Sequence, residues 1–261
     1  MESSSRISLP ENASLALAPP IIGVALNWWL YGIFIMQYFV YLNNAGTRDG
    51  KYLRAVVHFL FVLDTVQTFM IMDDVFFWFV YNFGDFPKLF EFNLAAIDGP
   101  LLDAIITFTV QLVYCWRLWK IGRWKVLPIV TAVLALVACV GGLIVGIHVG
   151  SSSRLASFTN KSQSILDPTH IRPAVYLWLF ASAVTDIVIA TSMTYMLLQY
   201  RTAEASKTTM AVVKRVLLLT LETNAATAAV AVALVTAFLI PSITPPKTNI
   251  YVVFGYILGK M

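Results

Sequence analysis

Six stretches of this chain stay apolar for longer than a helix in a water-soluble core requires, over 21–42, 53–80, 94–119, 126–149, 173–199 and 212–240. An α-helix rises about 1.5 Å per residue and the hydrocarbon layer of a bilayer is about 30 Å thick, so about 20 apolar residues cross it. A seventh apolar stretch, 249–261, runs to the end of the sequence and is short for a crossing. The pattern predicts an all-α polytopic membrane helix bundle, with seven transmembrane segments of which the seventh is truncated, and an extracytosolic N-terminal tail over residues 1–20.

Composition points to the same solvent. The chain is 59% hydrophobic and 12% charged, whereas soluble domains carry about 25% charged residues. That much apolar surface cannot be hidden in an aqueous core, so the lipid bilayer is the first expected partner. Turn-forming residues separate the runs: Asn43-Asn44-Ala45-Gly46, Asn82-Phe83-Gly84-Asp85, Ser151-Ser152-Ser153 and Pro245-Pro246. Connections this short make neighbouring helices antiparallel, which gives one domain.

Alternate loops differ in charge. One side carries eleven Lys and Arg residues, among them Arg48, Lys51, Arg117, Lys120, Arg201 and Lys214, and the other carries six. The positive-inside rule puts the richer side in the cytosol and the N-terminus outside, in the plasma membrane or another membrane of the secretory pathway. The two Asn-X-Ser/Thr sequons, at Asn12 and Asn160, fall on the outer side and are candidate glycosylation sites. Trp28, Trp29, Trp78, Tyr81, Trp119 and Trp124 lie at span ends, where aromatic rings anchor to the interface. The formal charge of +4 therefore reads as topology, with no nucleic-acid partner; the basic loops could still meet a cytosolic partner.

Cys115 and Cys139 lie inside apolar runs and suggest neither a disulfide framework nor a metal site. Motifs for nucleophilic, metal-assisted or phosphate chemistry are missing from the sequence. The expectation is a protein without a cofactor that is not an enzyme.

Chemistry concentrates in the intramembrane acids. Asp64, Asp73, Asp74, Asp98, Asp103, Asp186 and Glu222 fall inside the predicted spans. A charge at the bilayer centre costs about 2.5 to 3.5 kcal/mol on insertion scales, so each acid must face the bundle interior, a wet cavity or the interface. The basic residues of the first six spans sit at their ends and do not match these acids. Asp73, Asp74 and Asp98 read as interfacial; Asp64, Asp103, Asp186 and Glu222 read as internal. Asp103, Thr107 and Gln111 repeat at i, i+4 and i+8 and form one polar stripe. Thr220, Thr223, Asn224 and Thr227 form another. Such stripes join helices through hydrogen bonds or line a cavity. The candidate ligand- or ion-binding residues are accordingly Asp64, Asp103, Thr107, Gln111, Asp186, Glu222 and Asn224.

The chain also resembles a family of seven-helix membrane proteins of mushroom-forming fungi, catalogued as a domain of unknown function. The resemblance is carried, in order, by Tyr31-Gly32, Gln37-Tyr38-Phe39, Leu63-Asp64-Thr65, Asn82-Phe83-Gly84, Val110-Gln111 with Arg117, Asp186 with Ile189-Ala190, Arg201-Thr202, Lys207-Thr208, Glu222-Thr223 and Gly259-Lys260. It implies a seven-helix fold and a fungal origin, and no activity. The sequence departs from the family at Gln67, where the family often has histidine, and at its end, where the family continues with an aromatic residue and an Asn-Ser pair.

Two functions compete. Seven helices with short loops and a basic cytosolic face suit a receptor or sensor with a small-molecule or cation ligand among the helices. The alternative is a proton- or cation-coupled transporter of small solutes working through the intramembrane carboxylates. An echo between Leu63-Asp64-Thr65 and Leu221-Glu222-Thr223 suits a repeat-built transporter. A Schiff base on Lys260 with Asp103 as counter-ion is a third, weaker expectation.

Overall fold

The structure, a computed structural model, describes residues 13–44, 50–84, 94, 97–121, 126–159, 171–202, 225–237, 239–240 and 250–260. Every regular element among them is helical: α1 (Ala13–Asn44), α2 (Lys51–Phe76), α3 (Asp103–Ile121), α4 (Val126–Thr159), α5 (Ile171–Thr202), α6 (Ala225–Ala237) and α7 (Ile250–Leu258). Five of these, α1 to α5, are long and apolar enough to cross a membrane. The molecule is a helical membrane bundle.

Each helix is sorted by period. On α4 the exposed face is Ile129, Val133, Leu136, Val140, Ile144 and Ile147, and the buried face is Thr131, Ala135, Ala138, Val145 and Val149. Both sets step by three, four or seven, which places each on one side of a helix. The larger branched residues go out to lipid and mostly smaller ones go in, the arrangement that lets membrane helices approach closely. Glycines take that approach furthest. A Cβ on Gly142 would come within 2.6 Å of Ala104 Cβ, and one on Gly146 within 2.7 Å of Leu101 Cβ, while Gly141 faces Trp178 of α5 at 3.2 Å. This small-residue surface fixes α4 against the start of α3 and against α5.

Two wide turns lie at the end of α2 and just before α3. α2 continues into a π-helical turn, Phe77–Tyr81, closed by Asn82, whose N–H and Nδ2 both donate to Phe77 O at 3.2 and 2.9 Å. Gly84 follows with φ 88°, a left-handed conformation that suits glycine. A second π-helical turn, Ile97–Leu102, contains Pro100 and leads directly into Asp103. Proline has no N–H to give to a ladder, which favours a widened turn at that point.

α7 is the central element. Its Tyr256 packs with Val24 of α1 and Ile71 of α2, and its Leu258 packs with Leu179 and Ala183 of α5 and with Ala231 and Leu234 of α6. A Cβ on Gly23 would lie 3.0 Å from the Tyr256 ring, and Asn27 Nδ2 donates to Tyr256 O at 3.1 Å. Helical hydrogen bonding runs on past Leu258: Gly259 N donates to Gly255 O at 3.3 Å and Lys260 N to Ile257 O at 3.0 Å.

Three local expectations change. The backbone of α4 stays helical through Ser151-Ser152-Ser153, expected as a break, because serine lowers helix propensity far less than glycine or proline does. α1 likewise begins eight residues before Ile21 and carries Pro19 and Pro20 inside it. Trp78, expected at the interface, is buried, whereas Trp29, Trp119 and Tyr81 are exposed on the lipid side. Trp124 lies outside the described residues.

Candidate functional site

Lys260 reaches back into the bundle from the end of α7. Its ammonium donates to Asp64 Oδ1 at 2.6 Å, to Asp64 O at 2.9 Å and to Thr68 Oγ1 at 2.7 Å. An ammonium has three donors, so all three are satisfied. The face of Tyr31 lies 5.4 Å from the same nitrogen, within the range of cation–π attraction. Tyr31 in turn shares a 2.9 Å hydrogen bond with Thr65 Oγ1, one residue along from Asp64. Side-chain exposure is 1% for Lys260 and 8% for Asp64, so neither charge is solvated from outside and each is balanced by the other.

This pairing was not anticipated from the acids and bases of the first six spans, where Asp64 looked uncompensated. Its base comes from the seventh. The carboxylate in hydrogen-bond contact with Lys260 is Asp64, whereas Asp103, the expected counter-ion, lies within electrostatic reach of it.

Next to Lys260, Gly259 leaves room for two side chains. A Cβ there would lie 3.1 Å from Asp103 Oδ1 and 3.1 Å from Gln67 Nε2. A methyl group there would press on both side chains, which would have to give by a few tenths of an ångström. Gln67 thus lies with Asp103 around Gly259. Asp103 lies in electrostatic reach of both Lys260 and Asp186. On α5, Asp186 accepts from Gln111 Nε2 at 2.9 Å, joining the middle of α5 to the polar stripe of α3.

The stripe therefore splits in function. Asp103 and Gln111 are buried, whereas Thr107 between them is only partly so. The buried oxygens of the cluster without a hydrogen-bond partner include Asp64 Oδ2, Asp103 Oδ1, Asp186 Oδ2 and Gln111 Oε1. All are acceptors. Among the described residues Lys260 supplies the one positive charge against three carboxyl groups, so the cluster as built has acceptor capacity and negative charge to spare. An uncompensated buried carboxylate costs several kcal/mol on general grounds, so the arrangement calls for a proton or a cation.

Other expected positions fall elsewhere. Asp74 is fully buried and accepts from Leu94 N at 2.8 Å, which ties Leu94 to the end of α2. Asp73 is exposed. Glu222, Asn224, Asn12 and Asn160 lie outside the described residues, as do Thr220 and Thr223; of Asp98, only the backbone is described, within the π-helical turn. Sequence reasoning missed Lys260 as the partner of Asp64, and with it Thr68, Tyr31 and Asn27. The structure gathers Tyr31, Asp64-Thr65 and Gly259-Lys260 into one place.

Among the described residues no group of three or more His, Cys, Asp or Glu side chains converges as a metal site. Cys115 shares a 3.1 Å hydrogen bond with Thr131 between α3 and α4, and both cysteines are buried and free.

No curated protein and no solved structure matches the chain. The model of a family of unknown function (DUF6534) matches residues 182–261, a stretch that contains Asp186, Gly259 and Lys260, and it is to that family that the chain is similar.

Proposed function

We propose that this protein is a cation- or proton-coupled carrier of small solutes, with the charge carried by the cluster of Asp64, Asp103 and Asp186 around Lys260. The observation behind this reading is the imbalance in that cluster. Asp64 from α2 holds the Lys260 ammonium of α7, Asp103 from α3 is within electrostatic reach of Lys260 and of Asp186 from α5, and each of the three carboxyl groups keeps a buried oxygen without a partner. Ionisable groups inside a membrane mark ion and proton pathways because they are too costly to keep for packing alone. A lysine held by a carboxylate of a different helix is also a contact that a change of charge state can release, which is what coupling demands.

The receptor or sensor reading draws on architecture, whereas the carrier reading has named residues to act through. A seven-helix topology with the N-terminus outside, a fungal origin and glycosylation at Asn12 and Asn160 belong to this proposal on the sequence grounds given above.

The test is ion flux in proteoliposomes under an imposed pH or cation gradient, read with a pH-sensitive dye. The wild-type chain should dissipate the gradient, and Asp186→Asn and Asp64→Asn should abolish that while still eluting as folded protein. A folded wild-type chain that moves neither protons nor cations, with or without candidate solutes, would refute the carrier reading.

A further inference from the structure

One turn of α2 builds a cradle for an ammonium group. Asp64 Oδ1, Asp64 O and Thr68 Oγ1 lie 2.6, 2.9 and 2.7 Å from a single nitrogen, and the ring of Tyr31 lies 5.4 Å from it. We propose that this cradle is the carrier's solute site, that the solute is a small primary amine in its protonated form, and that Lys260 occupies the site until the solute displaces it. The proposal rests on the carrier reading and names its solute class.

The cradle is braced by its own hydrogen bonds. The Thr68 hydroxyl gives its proton to Asp64 O at 2.8 Å, which leaves its lone pairs for an ammonium. Thr65 gives its proton to Phe61 O at 2.7 Å, so Tyr31 is the donor in the 2.9 Å bond between Tyr31 and Thr65, and that bond orients the ring. Asp64, Thr68 and Tyr31 are 5%, 0% and 7% exposed. Three acceptors and an aromatic face are what a primary ammonium, with its three N–H donors, needs when it leaves water. A hard metal cation takes about six or more oxygens, and among the described residues no three acidic, histidine or cysteine side chains converge. A quaternary ammonium has no N–H to give to the three oxygens.

Displacement has a route and a charge balance. Lys260 lies beyond Leu258, the last residue of α7, and follows Gly259. A rotation at glycine moves the lysine without moving Tyr256 or Leu258, which hold α7 in the bundle. The displaced ammonium has a carboxylate to turn to: Asp103 Oδ1 is buried without a partner and lies 3.1 Å from a Cβ built on Gly259. Two ammonium groups then face two carboxyl groups, so the exchange compensates a buried acid that was uncompensated before. n-Butylammonium has the carbons and nitrogen of a lysine side chain and fits the space that Lys260 vacates.

Equilibrium binding of radiolabelled n-butylammonium to the purified wild-type protein tests this. Binding should saturate, yield to unlabelled n-propylammonium, and withstand equal concentrations of sodium, potassium or tetramethylammonium. Thr68→Val, which keeps the shape and removes one acceptor, should weaken it by about tenfold or more. Lys260→Ala, which removes the tethered competitor, should tighten it by about tenfold or more. No saturable binding to folded wild type, or binding that sodium or tetramethylammonium removes equally well, would overturn the proposal without relying on any variant. An affinity unchanged by Thr68→Val would overturn it too, as would binding seen only in Lys260→Ala, which would make the lysine a permanent structural partner. Binding as expected, with no uptake of the label into proteoliposomes beyond that of protein-free vesicles, would keep the amine site and refute the carrier reading. Ion flux without amine binding would do the reverse.

Discussion

Lys260 and Asp64 stand 196 residues apart in the chain, and the ammonium of one meets the carboxylate of the other at 2.6 Å inside the bundle. That contact ties the end of α7 to the middle of α2 and shapes the electrostatics around it. With Lys260 committed to Asp64, Asp103 and Asp186 are left to be neutralised by something else.

Gly259 should tolerate almost nothing larger. Gly259→Ala places a methyl group 3.1 Å from Asp103 Oδ1 and Gln67 Nε2, tighter than ordinary contact, and overpacking of this kind costs about 1–3 kcal/mol. Gly259→Leu should cost more and reduce the yield of folded protein. Thermal unfolding in detergent would check this, with Gly255→Ala as the comparison, since nothing lies within 4 Å of a Cβ at Gly255. Equal melting temperatures for the two alanine variants would mean that the approach of α7 to Asp103 is looser than described.

Gln111→Leu should destabilise by about 1.5–3 kcal/mol, the usual magnitude for losing a hydrogen bond to a charged group. Combining it with Asp186→Leu should recover much of that loss, because the orphaned acid is then gone as well. Chemical unfolding of the single and double variants gives the comparison. If Gln111→Leu proves neutral on its own, the 2.9 Å bond to Asp186 is not contributing to the fold.

The α4 seam makes a packing prediction. Gly142→Leu has no room, since even its Cβ would come within 2.6 Å of Ala104 Cβ and 3.0 Å of Trp178 Nε1. It should prevent assembly of α3, α4 and α5 or lower the melting temperature sharply. Val140→Leu, two residues away on the exposed face, should be nearly silent, within about 0.5 kcal/mol. Size-exclusion profiles of the two variants would show the contrast.

Helices were legible in the sequence because lipid imposes a length and a periodicity that residues such as Ile129, Val133, Leu136 and Val140 display openly. Depth was legible too: counting residues placed Asp186 near the middle of its span and put Asp103 and Gln111 on one face. What could not be read was rotation. A helix's depth follows from its own residues, but the direction in which Asp64 points depends on how α2 packs against α1 and α7, and nothing local to 53–80 records that. The same gap hid Lys260, whose partner is set by the packing of Tyr256 against Val24 and Ile71 rather than by its neighbours in sequence. The partner of Asp74 was hidden for a different reason: it is the backbone N–H of Leu94, and a backbone donor leaves no mark in a sequence pattern.

The central claim is that Asp64 and Lys260 act as an ion pair, and a double-mutant cycle on thermal or chemical unfolding measures that most directly. Lys260→Met alone should cost about 3–5 kcal/mol, because it strands a buried carboxylate; adding Asp64→Asn should recover most of it, giving a coupling of at least about 1.5 kcal/mol. Additive effects, with no recovery in the double variant, would contradict the account, since the two residues would then not be partners.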